Sequence, residues 1–231
     1  MKYSFLMPFF NRHEQFRNTL ISFVNLYADR DDFEIVVILD EKSKRDEEIP
    51  PTFNGIEIKV RDGGSCTSPS SHYNQAAEVA RGQYLILTSP EVKHETDILA
   101  GFDKHLKDHS LCYVIAACKN DAHKLGKGIP WFQHTEHRPS NYHFCSCLHK
   151  NVFKMVNGFD ELFSAGVGYD DNDFRDGLEY AGVKFVQDDS LITVHQQHEK
   201  IMTPERRRLT QVNRDLFETK CAERGFPLRE N

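Results

Sequence analysis

Three carboxylates lie close together in the last third of the chain. Asp170, Asp171 and Asp173 follow Gly168-Tyr169 and open a predicted helix. The helix dipole favours acidic side chains in a first turn, which explains one or two of them as capping residues. A cluster of like charges also raises the pKa of one carboxyl. Such a carboxylate accepts a proton readily, so the cluster predicts a general base.

A second group of polar side chains follows two predicted strands. Tyr3–Met7 leads into Pro8-Phe9-Phe10-Asn11-Arg12, and Phe33–Leu39 ends on Asp40. An aromatic ring beside polar groups can flank a planar base and hold a phosphate or a ribose. An aspartate there can accept hydrogen bonds from a ribose or a base. Taken separately, these residues also suit a strand end, a helix cap and a turn.

Two further strand ends offer metal ligands. Tyr84–Leu87 is followed by Thr88-Ser89-Pro90-Glu91, and Leu191–Val194 is followed by His195-Gln196-Gln197-His198. A carboxylate with few charged neighbours is a hard oxygen ligand that suits Mg²⁺ or Mn²⁺. An imidazole at a strand end can complete such a site. Taken alone, a Ser-Pro turn and a solvated histidine pair are the simpler interpretations of these two segments.

The elements that must position these residues alternate between strand and helix in the first half. A continuous apolar run such as Phe33–Leu39 is typical of a strand covered on both faces. The alternation predicts a mostly parallel sheet with helices on both faces and a ligand site beyond the carboxyl ends of its strands. The remaining predicted strands are Ile56–Val60, Leu111–Ala117, Tyr142–Leu148 and Val183–Val186. The predicted helices are Glu14–Leu26, Ser71–Arg81, Glu95–Lys107, Asn151–Val156, Asp171–Tyr180 and a last one that opens at Thr203-Pro204-Glu205.

Composition excludes several classes of protein. The net charge of −6, from 35 acidic and 29 basic residues, disfavours a dedicated nucleic-acid binder. No apolar stretch reaches the roughly 18 residues of a membrane span. The apolar start, Met1 to Phe10, predicts a buried strand and not a signal peptide. The six cysteines contain no CxxC pair, so we expect reduced thiols and a cytoplasmic location.

Together and in this order, these segments resemble the family 2 glycosyltransferases, which have the GT-A nucleotide-diphospho-sugar fold. SFLMPFFNR resembles the family's opening strand, and FEIVVILDEKS resembles the strand whose terminal aspartate contacts the nucleoside. YNQAAEVARGQYLIL is the most specific match. VFKMVNGFDELFSAGVGYDDNDF is similar to the acceptor-side block with its acidic motif, and VKFVQDDSLITVHQQH to the segment with the metal-binding histidine. The match runs from Tyr3 to about His198.

The resemblance implies a fold and a division of the chain. We expect one α/β domain over residues 1–231 with a GT-A (Rossmann-like) fold, a mostly parallel central sheet with helices on both faces, and a smaller mixed sheet in the acceptor half. Residues 1–92 would form the nucleotide-binding half and residues 93–200 the acceptor-binding half. Residues 201–231 would form a C-terminal helix and tail.

The resemblance also implies a reaction, which moves a sugar from a UDP-sugar to an acceptor hydroxyl with inversion. Asp171 would be the general base, Asp170 and Asp173 would shape the acceptor site, and Glu91 and His195 would hold Mn²⁺ or Mg²⁺. The residues assigned to the nucleotide sugar are Pro8, Phe10, Asn11, Arg12, Asp40, Asn74, Ser89 and Glu91.

One position departs from the family pattern and keeps other functions open. The family usually has Asp-x-Asp after the fourth strand, where this chain has Ser89-Pro90-Glu91, so Ser89 lacks the charge of the first aspartate. A non-catalytic or donor-hydrolysing carbohydrate-binding protein of the same fold is therefore an alternative. A sugar-phosphate nucleotidyltransferase would need a Gly-rich loop after the first strand, and PFFNRHEQ contains no glycine.

The acceptor is left open by the sequence. The long loop Lys119–Asn141 contains the sole tryptophan, Trp131, whose ring can stack on a sugar. A packing role for Trp131 is an equally good interpretation. A glycan, a small alcohol or a modified nucleic-acid base would each supply a hydroxyl or a comparable group. Lys200 and Arg206–Arg208 can contact the donor if their segment folds over it, although a solvated helix face is the simpler interpretation.

Overall fold

A computed structural model describes residues 1–43, 48–66, 68–107, 111–121, 134–198 and 203–226. Its strands are β1 (Tyr3–Phe9), β2 (Phe33–Leu39), β3 (Thr52–Phe53), β4 (Ile56–Asp62), β5 (Tyr84–Thr88), β6 (Val92–His94), β7 (Cys112–Asn120), β8 (Cys145–His149) and β9 (Lys184–His195). Its α-helices are α1 (His13–Tyr27), α2 (Pro69–Val79), α3 (Ile98–Leu106), α4 (Lys150–Met155), α5 (Asp170–Tyr180) and α6 (Pro204–Arg224), and Glu161–Ala165 is a 3₁₀ helix.

The strands within these ranges form one sheet in the order β3-β4-β2-β1-β5-β8-β7-β9-β6. The neighbours β4, β2, β1 and β5 are parallel, as the strand–helix alternation predicts. Phe9 at the end of β1 pairs with Leu39 at the end of β2. This register puts the segment Phe10–Arg12 beside Asp40 at one edge of the sheet.

The second half of the sheet is mixed. β8 runs antiparallel to both β5 and β7, while β9 is parallel to β7 and antiparallel to β6. These strands continue the main sheet, whereas the sequence predicted a smaller separate one. The two strands predicted at Val183–Val186 and Leu191–Val194 are one strand, β9, with an irregularity opposite Ala116 and Ala117. The polar residues at this irregularity interrupt the apolar pattern, which is why the sequence indicates two strands.

Helices cover both faces of the sheet, because successive side chains of a strand point to opposite sides. On β1, Phe5 and Met7 pack with the apolar residues of α1 and α3. Leu6, between them, packs on the other side with residues of α2, α4 and α5. The long C-terminal helix α6 adds a small cluster with the 3₁₀ helix, which contains Phe163 and Phe217.

All six cysteines are free thiols, and five of them are buried. Each helix in the part of the chain that the structure describes is too short or too polar to cross a membrane.

Candidate functional site

Glu91, His195 and His198 meet at one edge of the sheet and are called the His/Glu cluster below. The Nε2 atom of His195 lies 3.9 Å from Oε1 of Glu91, and that of His198 lies 3.6 Å from the same oxygen. One ligand atom from each residue lies within 4.8 Å of the others. His195 is the last residue of β9 and pairs with Val92, which directly follows Glu91. Because one carboxylate and two imidazoles converge here, the donor set fits a divalent cation.

His198 is the member of this cluster that the sequence did not predict as a ligand. It lies three residues beyond β9, and its ring centroid is 5.2 Å from that of His195. The segment that follows β9 brings the second ring to Glu91. Two histidines separated by three positions just after a strand are a signal that can be read from the sequence.

Arg12 connects the His/Glu cluster to the segment after β1. Its Nη2 atom lies 3.1 Å from Nδ1 of His198, and its Nη1 donates to the carbonyl of Asn11 at 3.3 Å. A guanidinium only donates, so Nδ1 accepts, and a neutral His198 ring then carries its proton on Nε2. A cation at Nε2 therefore requires the other tautomer, in which His198 no longer accepts from Arg12. Cation binding at His198 would release the guanidinium for an anionic ligand.

The loops after β1 and β2 are tied together by hydrogen bonds. Asn11 has a left-handed backbone, with φ of 49°. Its N–H donates to Oγ of Ser43 at 3.2 Å, and the Ser43 hydroxyl donates back to Oδ1 of Asn11 at 3.3 Å. The Asp40 N–H donates to the carbonyl of Phe9 at 2.9 Å, and its Oδ1 accepts from the N–H of Lys42 at 2.8 Å. The turn role that the sequence allows for Asp40 is therefore present.

The side chains at this edge differ in exposure. Asp40 is only 6% exposed, Pro8 is half-buried, and the ring of Phe10 is 46% exposed. An exposed aromatic ring next to a fixed carboxylate is an arrangement that can take a planar base and a ribose. Ser89, in the turn between β5 and β6, is half-buried and its carbonyl accepts from the N–H of Val92 at 3.1 Å. Trp131 and Lys200 lie outside the described residues.

Asp170 and Asp171 begin α5 and are both half-buried. The hydroxyl of Ser70, near the start of α2, donates to Oδ2 of Asp170 at 3.1 Å. Burial, and then the neighbouring charge of Asp171, raises the pKa of Asp170 to about 6. Burial also raises the pKa of Asp171, although hydrogen bonds to its carboxylate act in the opposite direction. Carboxyls with raised pKa values are suitable proton acceptors near neutral pH.

Tyr73 belongs to α2 and lies about one turn after Ser70, which bonds to Asp170. Its hydroxyl donates to the carbonyl of Thr88, at the end of β5, at 2.8 Å. Its ring centroid lies 4.9 Å from that of His143, and the ring of the adjacent Phe144 lies 5.4 Å from that of His195. This series of contacts connects the acid pair to the His/Glu cluster.

Replacing Asp170 by Asn is expected to stabilise the fold at alkaline pH. The pKa of this carboxyl rises from 3.8 to about 6 on folding, so ionisation destabilises the folded state as the pH rises from about 4 to about 6. Asn cannot ionise and still accepts from Ser70. We expect the variant to gain about 1–3 kcal/mol of unfolding free energy at pH 8 and nothing at pH 3.5. Urea denaturation at both pH values measures this, and an equal gain at both would contradict the assignment.

Asp173 is paired with basic side chains of α6. Its Oδ1 accepts from Nη1 of Arg224 at 2.7 Å, and its Oδ2 lies 3.2 Å from Nζ of Lys220. It follows Asp171 by two residues, which is about 200° around a helix, so these two side chains leave α5 on different sides. Burial, and not the charge of Asp173, raises the pKa of Asp171. Asp173 holds α6 against α5, and its contact with the acceptor stays a prediction.

Asn74 also has a structural role, and its contact with substrate stays a prediction. Its Nδ2 donates to the carbonyl of Phe159 and to Glu161, both at 2.9 Å, and its Oδ1 accepts from the N–H of Phe159 at 2.9 Å. A Cβ at Gly158 would lie 2.4 Å from Oδ1 of Asn74, which explains the glycine in this turn. The amide fastens the turn before the 3₁₀ helix to α2.

Asn74 and Asp173 line a cavity of about 760 Å³ together with residues of α4 and α6. None of the residues of the His/Glu cluster and neither Asp170 nor Asp171 lines it. Asn74 and Asp173 therefore line a cavity to which these five residues do not contribute.

Comparison with known proteins identifies the family. The family model described as glycosyl transferase family 2 matches residues 4–146, which is more than half of the chain. This match includes Asp40 and Glu91 and ends before Asp170. No curated protein sequence matches the chain.

Solved structures with a similar fold include several glycosyltransferases. A fragment of TarS from S. aureus in complex with UDP-GlcNAc has a TM-score of 0.66 and 16% identity, with 87% of this chain and 60% of that chain covered. The mannosyltransferase PcManGT from Pyrobaculum calidifontis, in complex with GDP-Man and Mn²⁺, has a TM-score of 0.64 and 15% identity, with 96% of this chain and 64% of that chain covered. GalNAc-T7 with UDP, GalNAc and Mn²⁺ has a TM-score of 0.68 and 13% identity, with 100% of this chain and 52% of that chain covered.

These likenesses establish the fold, and they also show a difference in length. The chain spans only 58% and 60% of the first two TarS structures that it matches. The predicted α/β fold of the GT-A type is confirmed by the shared architecture. Since the family model also covers most of the sheet, the chain belongs to glycosyl transferase family 2.

Proposed function

We propose that this protein transfers a sugar from a nucleotide-diphospho-sugar, most simply a UDP-sugar, to an acceptor hydroxyl with the help of a divalent cation. The observation that carries the proposal is the His/Glu cluster just beyond the carboxyl ends of β5 and β9, connected through contacts of α2 to the acid pair at the start of α5. Ligands of open α/β sheets bind at this edge. The site thus combines groups that can hold a diphosphate with a carboxylate that can take a proton.

Asp171 is the general base of the proposed reaction. The acceptor hydroxyl must lose a proton as its oxygen attacks the anomeric carbon, and a carboxylate with a raised pKa can accept that proton. The nucleoside diphosphate leaves from the opposite side, so a direct displacement inverts the anomeric centre. Asp170, the preceding residue, is fixed to α2 because it accepts from the hydroxyl of Ser70.

Glu91, His195 and His198 would hold the cation. A divalent cation there supplies Lewis-acid stabilisation of the charge that develops on the leaving diphosphate. Two imidazole nitrogens disfavour Mg²⁺, which prefers oxygen ligands, and so support Mn²⁺. PcManGT and GalNAc-T7 are described in complexes with Mn²⁺, which agrees with this choice. Arg12, once released by His198, would donate to two oxygens of a phosphate as a bidentate pair.

The donor side would be formed by the loops after β1 and β2. Phe10 offers its exposed ring to the base, and Asp40 accepts hydrogen bonds from the base or the ribose. Pro8 and Asn11 shape the same loop, and Ser89 would lie near the diphosphate. TarS is described in complex with UDP-GlcNAc and PcManGT with GDP-Man, so both uridine and guanosine donors occur among proteins of this fold.

Two alternative functions would require different residues at this site. A purely binding protein would keep the His/Glu cluster but would not need a proton acceptor, whereas a donor-hydrolysing protein would need one for the attacking water. The raised pKa values of both Asp170 and Asp171 therefore favour a catalytic protein over a purely binding one. A sugar-phosphate nucleotidyltransferase would need a phosphate-binding loop after β1, and the loop there contains an exposed Phe10 and no glycine.

A panel of donors tests the proposed function. Thermal unfolding is measured with UDP-, GDP- and other nucleotide-sugars, each with and without Mn²⁺, and nucleoside diphosphate release is then followed with glycan and small-alcohol acceptors. We expect stabilisation by one nucleotide class only, dependent on Mn²⁺, and release that an acceptor accelerates. Release that no acceptor accelerates would favour the hydrolase, and binding without release would favour the scaffold.

Replacing Asp40 by Ala is expected to weaken nucleotide binding by about 10- to 100-fold, because one or two hydrogen bonds to a charged group are lost at about 1.5 kcal/mol each. The variant also loses the bond to the Lys42 N–H, so Asp40→Asn is included because it keeps an acceptor for that bond. Calorimetric titration with UDP measures the effect. Equal affinity of the wild type and both variants would remove Asp40 from the donor site.

A further inference from the structure

Gln196 lies between the two histidines of the His/Glu cluster and is only 6% exposed. Its side-chain nitrogen, Nε2, has three oxygens within hydrogen-bond distance. These are the carbonyl of Gln15 at 2.9 Å, Oγ1 of Thr19 at 3.2 Å and the carbonyl of Glu91 at 3.3 Å. Its Oε1 accepts from Nδ2 of Asn18 at 3.0 Å. Glutamine is usually exposed, but this side chain is buried and hydrogen-bonded on all sides. We call this group of hydrogen bonds around Gln196 the junction.

The backbone of Glu91 is held by the same residue. The N–H of Gln196 donates to the Glu91 carbonyl at 2.9 Å, so this carbonyl receives both the backbone and the side-chain donor of Gln196. Thr19 supports the same turn, since its hydroxyl donates to the carbonyl of Pro90 at 2.7 Å. The backbone that carries the Glu91 carboxylate is therefore hydrogen-bonded to the segment that carries both imidazoles.

Helix α1 enters the junction from the donor side. Gln15, Asn18 and Thr19 are spaced at i, i+3 and i+4, so they share one face of α1. Gln15 also donates from Nε2 to the carbonyl of Gln197 at 3.1 Å. Since α1 directly follows Arg12, its position sets where the loop after β1 begins. A shift of the junction would move the donor loop and the His/Glu cluster relative to each other.

We infer that Gln196 is a positioning residue that sets the geometry of the cation site and couples it to the donor loop. This inference rests on the proposed function. The amide is the group that the position requires, because Nε2 meets only acceptors while Oε1 meets a donor. Residues that orient metal ligands typically contribute 10- to 100-fold to metal affinity without touching the metal.

Gln196→Met tests the inference, because it keeps the length of the side chain and removes both hydrogen-bonding functions. Mn²⁺ affinity is measured by electron paramagnetic resonance of the free ion, and UDP affinity by calorimetry with and without Mn²⁺. We expect Mn²⁺ affinity to fall about 10- to 100-fold and the Mn²⁺-dependent gain in UDP affinity to shrink, with little change in UDP affinity without Mn²⁺. Thr19→Val removes one hydrogen-bond partner of the amide. It should lower both the Mn²⁺ affinity and the Mn²⁺-dependent gain in UDP affinity, by less than Gln196→Met does. If Gln196→Met does not fold, Thr19→Val tests the inference in its place.

Two controls separate positioning from general destabilisation. Gln197→Met changes the adjacent, exposed side chain and should leave Mn²⁺ affinity within about twofold of the wild type. Lys220→Met removes ion pairs to Asp160 and Asp173 on the far side of α5 and lowers stability without approaching the cluster. If Gln196→Met and Lys220→Met lowered the melting temperature alike and both kept wild-type Mn²⁺ affinity, the positioning role would be overturned. A wild-type chain that bound UDP but no Mn²⁺ would instead overturn the cation site itself, and this inference with it.

Discussion

Replacing Asp171 by Asn is expected to lower turnover by about 10²- to 10⁴-fold while donor affinity stays nearly unchanged. Asn keeps the size of the side chain and most of its hydrogen bonding, but it cannot take the proton of the acceptor. Burial raises the pKa of Asp171, so the carboxylate of the wild type is a stronger base than an exposed aspartate. Single-turnover transfer rates and donor titrations, measured side by side, separate chemistry from binding.

The controls for this prediction follow from where the other acidic side chains of α5 point. Asp173→Asn is unsuitable, because it removes the partner of Lys220 and Arg224 and changes stability. Glu179→Gln, at the exposed end of the same helix, removes a charge without touching the site and should keep normal turnover. Turnover by Asp171→Asn close to that of Glu179→Gln would mean that the base is elsewhere, and Asp170 would be tested next.

Much of the candidate site could be anticipated because strand ends are marked in the sequence. Continuous apolar runs end at Phe9 and Leu39, and parallel pairing of such runs brings their ends to the same edge. The polar residues that follow these two runs therefore lie close together in the fold. The same logic brings Glu91, after β5, to the edge that β9 reaches with His195.

The features that the sequence did not reveal depend on side-chain direction and on irregular segments. His198 reaches Glu91 from a segment beyond β9 that has no periodic pattern. Asp173 was grouped with Asp171 by proximity in sequence, although residues two positions apart in a helix lie on different sides. Asn74 belongs to the most specific part of the family pattern, yet its amide fastens a turn to α2. A family pattern thus marks residues that the fold needs as well as residues that the chemistry needs.

Replacing Glu91 by Gln is expected to weaken Mn²⁺ binding by at least about 100-fold. Glu91 is the carboxylate of the cluster, and its loss removes both a ligand and the negative charge that attracts the cation. Residues that merely orient ligands contribute about 10- to 100-fold, so a ligand itself should contribute more. Turnover should fall in parallel, because the leaving diphosphate loses its Lewis acid.

Glu95→Gln is the matched control, four residues further along the chain. Glu95 is exposed and pairs with Lys119 at 3.1 Å, outside the His/Glu cluster. Its removal should leave Mn²⁺ affinity within about twofold of the wild type, because exposed ion pairs contribute little. If both variants bound Mn²⁺ like the wild type, the cation would have to bind elsewhere.

His198→Ala then decides how many protein ligands the site has. In a site of Glu91 and His195 alone, as the sequence predicts, His198 would serve only to hold Arg12, and its removal would leave Mn²⁺ affinity unchanged or slightly higher. In a site of three ligands, its removal should cost about as much as His195→Ala. The distances of 3.6 and 3.9 Å from Glu91 to the two rings are nearly equal, so we expect the second result. In that case, the exchange of Arg12 for a cation on His198 also gives a physical reason why Mn²⁺ and UDP should strengthen each other's binding, by the same factor in either order of addition.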